Sequence, residues 1–261
     1  MEFKINDYVY IKNTEENNIS DIFIITNIVD DICTLKGITI RTTLDVNKDI
    51  LVLANVSDVN NLFEKQENII SKFKTSSKKR QSNKMLYGTI LHIDGDKEYL
   101  DSCLELYKDM NLFVNGICIK EEEIKYKIED LILELTPDIV VITGHDYYNK
   151  KGIKDLTNYK NSKHFIDALR IIRKHFSQND LIVIIGACSS HFEALIASGA
   201  NFSSSPKRIN IHTYDPAILA IKAATTSNNQ NIDFYQTLKF IENGSDAFGG
   251  IETKGKMKIL L

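Results

Sequence analysis

No segment of the 261-residue chain reaches the roughly eighteen uninterrupted apolar residues of a membrane-spanning helix, so no transmembrane helix is expected. The start, MEFKINDYVYIK, carries acid and lysine where a secretory leader would carry a basic cluster and an apolar stretch, and no export signal is visible. Cysteine is scarce. Cys33, Cys103, Cys118 and Cys188 are widely scattered with no CxxC pair, which argues against structural zinc and for free thiols in a reducing, cytoplasmic setting. Glycine-rich phosphate loops of the GxxxxGK[ST] or GxGxxG kind are missing from every strand-to-helix turn, and no serine sits in a GxSxG elbow. A formal net charge of −3 excludes a general nucleic-acid footprint. These absences lead us to expect no cofactor, no metal, no nucleic acid and no membrane partner. What is present, 43% hydrophobic and 26% charged residues, is the make-up of an ordinary globular protein of one large or two smaller domains.

Residues 1–58 read as a small all-β barrel of SH3-like or KOW-like kind. Short β-rich runs at 7–12, 21–29, 32–35, 38–42 and 50–53 are separated by polar breaks (13–18, 30–31) or by Gly37, as hairpins require. Residues 59–84 hold a possible short helix followed by a run from Lys72 to Lys84 with six basic residues, three serines and one aromatic. So little apolar surface does not offset the entropy of ordering, and the composition predicts an exposed linker. An anion-binding patch or a proteolytic nick after Arg80 are the functional alternatives.

Residues 85–261 switch to alternating strands and helices. Strands are expected at 85–94, 113–119, 138–143 and 181–187, with helices at 97–110, 121–135, 162–176, 191–197, 215–224 and 232–242, followed by a glycine-rich tail at 248–255. This rhythm predicts an α/β domain with a mainly parallel, helix-covered sheet.

Two strand ends carry the chemistry. Leu181–Ile185 is apolar throughout, as a strand buried on both faces would be, and it runs through Gly186 and Ala187 to Cys188. A thiol at a strand-to-helix turn meets unpaired backbone N–H groups and the positive end of a helix dipole, both favouring the thiolate. Ile139–Thr143 ends in the same way, at Gly144 and His145. In an open parallel sheet the two ends line one crevice, so Cys188 and His145 are expected to form a nucleophile–base dyad. The bland alternative is a buried structural cysteine and a loop histidine. Backbone N–H groups around Gly144, Asp146, Gly186 and Ser189 are the candidates to hold an oxyanion, and Asp146 is also placed to orient the imidazole. Asp94 and Asp96 end the first strand at the same crevice. They suit either a pocket for a basic side chain or plain turn chemistry. His191 either faces substrate or caps the helix that follows it. His92 reads as scaffold, the role of His212 is open, and His164 and His175 fall on a solvated helix face.

With those residues assembled, the chain resembles the YabG sporulation-specific protease family. The matching stretches are FKIND at 3–7, HIDGDKEYL at 92–100, PDIVVITGHD at 137–146, NYKNSK at 158–163, GACSSHFEALI at 186–196, GANFSSSPKRINIH at 199–212 and GGIET at 249–253. The resemblance implies a cysteine endopeptidase acting on spore coat and cortex-associated proteins during sporulation, cleaving after basic residues, chiefly arginine, with His145 and Cys188 as its dyad. It also implies a cytoplasmic protein of the sporulating cell that associates with the forming coat, and Arg80 suggests self-processing. At a greater distance, the strand–His and strand–Cys order looks caspase- and gingipain-like, although Gly186 replaces that group's glutamine, Ser190 its second glycine, and Asp146 the glycine after its histidine. The rival from another class is a non-enzymatic scaffold that binds coat proteins during assembly.

Overall fold

The computed structural model describes residues 3–12, 21–78 and 85–260. The chain forms two compact units, Met1–Phe73 and Lys74–Leu261.

In the first unit β1 (Tyr8–Ile11), β2 (Phe23–Val29), β3 (Ile32–Gly37), β4 (Thr43–Asn47) and β5 (Leu51–Leu53) build an antiparallel sheet in the order β4-β3-β2-β1-β5. Val9, Phe23, Ile25, Cys33, Leu35, Ile40 and Leu51 form its core. Two details differ from the sequence reading. The strand expected at 38–42 is a turn in which Gly37 N–H donates to Thr42 O at 2.8 Å, and the pairing strand is the more polar Thr43–Asn47, three of whose five residues are exposed. The predicted linker is helical over most of its length. Helix α1 spans Val56–Lys78, with Val59, Leu62, Phe63, Ile69, Ile70 and Phe73 recurring at helical spacing and neither glycine nor proline to break it. Composition made that stretch look unstructured because its charges lie between those apolar positions. The 13–18 break and Arg80 lie outside the described residues.

In the second unit a six-stranded sheet is formed by β7 (Ile90–Asp94), β8 (Val114–Cys118), β9 (Ile139–Thr143), β10 (Ile182–Gly186), β11 (Phe202–Ser204) and β12 (Phe248–Gly250). Their order is β12-β11-β10-β9-β7-β8, parallel except for β12, which runs antiparallel to β11. A short β6 (Met85–Leu86) pairs separately with β13 (Lys258–Ile259). Helices α2 (Lys97–Asp109) and α6 (Asp215–Thr225) pack on one side of the sheet. On the other side α3 (Ile124–Leu135), α4 (Ser162–His175) and α5 (Phe192–Ala197) bury Ile128, Phe165, Leu169 and Leu195 against Ile93, Val140, Ile142, Val183 and Ile185. Two short helices, α7 (Phe234–Leu238) and α8 (Gly244–Ala247), lead into β12.

The expected tail is therefore partly β12, and its glycines are needed there. A Cβ at Gly249 would meet the Phe192 ring at 2.6 Å, and one at Gly250 the Phe202 ring at 2.3 Å. Strand β11 is buried although two of its three residues are serines, and one of the two hydroxyls satisfies backbone. Ser204 Oγ accepts Ala187 N–H at 2.8 Å and donates to Ala187 O at 2.7 Å. Among the described residues no helix is long and apolar enough to cross a membrane.

Candidate active site

The strand order reverses at β7, with β8 on one side and β9 on the other, and a doubly wound sheet opens a crevice at the carboxyl ends beside such a point. Three chain segments arrive there: Asp94-Gly95-Asp96 from β7, Thr143-Gly144-His145 from β9, and Gly186-Ala187-Cys188 from β10. Thr143 and Gly186 are partners in the β9–β10 register, so His145 and Cys188 each lie two residues beyond a paired position on adjacent parallel strands. Gly144 N–H still donates to Gly186 O at 3.3 Å, keeping the two chains together past the last paired residues.

His145 is held from three directions. Its backbone N–H donates to Glu121 Oε1 at 2.6 Å, its carbonyl accepts Asn161 Nδ2 at 2.7 Å, and its ring Nε2 lies 3.4 Å from Asp96 Oδ2. The Tyr99 ring meets the imidazole edge to face at 5.8 Å. The His145 side chain is 23% exposed and that of Asp96 17%, so both remain partly open to solvent. Asp96 also caps α2, accepting Glu98 N–H at 3.0 Å through Oδ1 and leaving Oδ2 on the His145 side.

Glu121, which sequence reading treated only as the start of a helix, is a structural surprise. It is buried in a one-turn helix (Glu121–Glu123) ahead of α3, and its carboxylate fills the space that side chains at Gly95 and Gly144 would occupy, at 2.5 and 2.4 Å from the hypothetical Cβ atoms. A signal was present in the two glycines, Gly95 and Gly144, that directly follow strand ends. Only the fold says which side chain fills the gap.

Cys188 is 1% exposed, and Ile211 N–H donates to its sulfur at 3.3 Å. The thiol is thus covered by the 209–213 segment, and its burial is what the structural-cysteine alternative expects. Ser189 takes a left-handed backbone, φ 52°, with its N–H donated to Ile209 O at 3.0 Å and its hydroxyl to Arg208 O. Gly186 packs where a Cβ would strike Pro216 of α6 at 2.4 Å.

The remaining expected site residues have structural partners. Asp94 is fully buried and its Oδ1 accepts Asp96 N–H at 3.0 Å, which is turn chemistry. His191 caps α5, with Nδ1 accepting Ala194 N–H at 3.4 Å and its ring tilted against that of Tyr159 with centroids 4.7 Å apart. Asp146 does not turn toward the imidazole. Its Oδ1 accepts Tyr147 N–H at 2.8 Å and Asn161 N–H at 2.7 Å, and its Oδ2 accepts the Ser162 hydroxyl at 2.5 Å, which closes the 146–161 loop. His92 is buried scaffold, bridging Tyr107 OH at 3.0 Å and Thr143 Oγ1 at 2.9 Å. His212 stands at the start of α6, its N–H donated to Asp215 at 2.9 Å.

Burial pushes the Asp146 carboxyl up from 3.8 to about 6, overcoming the Ser162, Asn161 and Tyr147 hydrogen bonds that favour the ionised form; the Glu121 charge adds to the rise. The folded chain therefore holds a proton that the unfolded chain releases. The stability contributed is full below the unfolded value and is lost as pH rises through about 6. Relative to Asp146→Asn, the unaltered protein should lose about 1 kcal/mol of unfolding free energy between about pH 5 and pH 7, read from urea midpoints. A difference that stays constant over that range would mean the carboxyl titrates alike in both states.

Fold and site together define an α/β protein in which adjacent strand ends carry a covered thiol and a partly exposed imidazole, with carboxylates at the next strand end. The chain belongs to the YabG peptidase U57 family, whose model matches residues 4–261. It is 43% identical over 175 residues to the sporulation-specific protease YabG of Bacillus subtilis (strain 168). That alignment covers 66% of this chain and 60% of the relative, so the chain spans about three fifths of the curated protein it matches.

Proposed function

We propose that the protein is a cysteine endopeptidase that acts during sporulation on spore coat and cortex-associated proteins and cleaves after basic residues, chiefly arginine. The observation that carries this reading is the register that sets His145 and Cys188 equally far beyond the Thr143–Gly186 pair on the adjacent strands β9 and β10. The names of the family and of the relative agree with it. By analogy of strand order and strand-end chemistry, the second unit is read as caspase-like and the N-terminal sheet as an SH3- or KOW-like binding module. The same reading sets the protein in the cytoplasm of the sporulating cell, at the forming coat.

In this mechanism the Cys188 thiolate attacks the scissile carbonyl carbon, forming the C–S bond. The oxyanion is assigned to backbone N–H groups at residue 188 and beside residue 145, which need no particular side chain. His145 Nε2 faces Asp96, so proton transfer falls to Nδ1, which protonates the leaving amine as the C–N bond breaks. His145 then takes a proton from water, whose oxygen attacks the thioester and releases the acid product and the thiolate. Asp96, open to the crevice, is the acid assigned to the basic side chain, and the buried Asp94 supports it through the turn. Because the thiol is covered, the 209–213 segment has to shift before a peptide reaches it.

An arginyl chloromethyl ketone tests the assignment. The expected result, by peptide mapping, is a single adduct on buried Cys188, while iodoacetamide also marks exposed Cys118. An adduct on Cys118 alone would favour the non-enzymatic scaffold.

A further inference from the structure

The loops that carry His145 and Cys188 are joined by one buried hydroxyl. Ser162, the first residue of α4, is fully buried. Its Oγ donates to Asp146 Oδ2 at 2.5 Å and accepts His191 N–H at 2.8 Å. Asp146 directly follows His145, and His191 is the third residue after Cys188. A continuous hydrogen-bonded path therefore runs from the imidazole-bearing loop through Ser162 to the end of the thiol-bearing loop, beyond the reach of the β9–β10 ladder. Each member is buried, Asp146 to 8% and His191 to 7% exposure, so water does not compete for the contacts. Asn161, next to Ser162, fixes the same loop from the other side by donating to His145 O at 2.7 Å.

We propose that Ser162 is a positioning residue that sets the distance and angle between Cys188 and His145. The proposal rests on the dyad reading. A polar side chain could have been avoided at this helix start, because neighbouring Phe165 and Ile166 already anchor α4 in the core. What an apolar residue could not do is serve Asp146 and His191 at once. Since a reacting pair misplaced by about 1 Å loses on the order of a hundredfold in rate, the effect belongs in the chemical step.

The test uses the full-length protein and an arginyl peptide substrate. Ser162→Ala should lower kcat about 10- to 100-fold with KM changed by less than about threefold, and should move the pH midpoint of Cys188 alkylation upward as the imidazole drifts from the thiol. Ser162→Thr keeps the hydroxyl and should restore most of kcat. Asp146→Asn is the second variant, should Ser162→Ala fold poorly. Its Oδ1 retains both backbone anchors, while its amide donates where Oδ2 accepted, so the buried Ser162 hydroxyl proton loses its acceptor and the link is weakened; kcat should fall again, and by more than the accompanying loss of melting temperature accounts for. A normal kcat and alkylation profile in both Ser162→Ala and Asp146→Asn would overturn the proposal. So would losses that follow melting temperature alone and are not rescued by threonine. His145→Ala separates the two levels: full activity in that variant would remove the dyad itself, whereas an inactive His145→Ala beside a fully active Ser162→Ala would remove only the positioning role.

Discussion

Replacing Cys188 with alanine should abolish peptide cleavage, lowering kcat/KM by at least about ten-thousand-fold, because the side chain supplies the atom that bonds to the substrate and nothing else at the crevice can take its place. The substitution has a structural cost as well. The sulfur is buried and accepts the Ile211 N–H, so its removal leaves that donor without its acceptor and should cost about 1 kcal/mol. That is too little to unfold a protein of this size, and a thermal melt run beside the activity assay separates the two effects. Cleavage that survives in the alanine protein would refute the nucleophile assignment. The same pair of proteins tests self-processing: intact masses should differ by loss of a fragment ending near Arg80 only when the thiol is present, and identical masses would rule it out.

The second large effect is expected at Asp96. Substitution by asparagine keeps the Oδ1 cap on α2 while removing the negative charge on the crevice side. Truncating one partner of a desolvated charge pair costs about 2–5 kcal/mol, so discrimination between an arginyl substrate and its neutral analogue should shrink by a factor of about 30 to several thousand. The ratio is the informative quantity. Asp96 also touches the His145 ring, and cleavage of every substrate should slow somewhat. Asp94→Asn is the contrast, because a fully buried turn carboxylate should alter stability more than preference. If the arginine preference survives Asp96→Asn unchanged, the basic side chain is received elsewhere, and Glu121 becomes the next carboxylate to test.

Much of the fold was legible. The unbroken apolar runs at Ile139–Thr143 and Ile182–Gly186 are strands buried on both faces, and their ends are where the candidate residues lie. The helix that stops at Leu135 ahead of Pro137 and the helices at 97–109 and 162–175 follow from the spacing of their apolar residues. What local patterns hid was burial of polar sequence. Phe202–Ser204 looks like a loop until Ser204 is seen to bond Ala187, Phe248–Gly250 looks like a tail until the rings beside its glycines are seen, and α1 looks like a linker until its apolar positions are counted at helical spacing.

The sequence by itself determined that two buried strands end in a histidine and a cysteine, with acidic residues at a third strand end. That much depends on hydrophobic runs and turn residues, which act over a few positions in the chain. Only the tertiary structure decided which acid faces which group. Asp96 rather than Asp146 meets the His145 ring, Glu121 holds its backbone, and Ser162 ties its loop to the loop of Cys188. The physical reason is that hydrogen-bond partners are chosen by proximity between segments far apart in sequence, and those distances exist only once the strand order and register have been set.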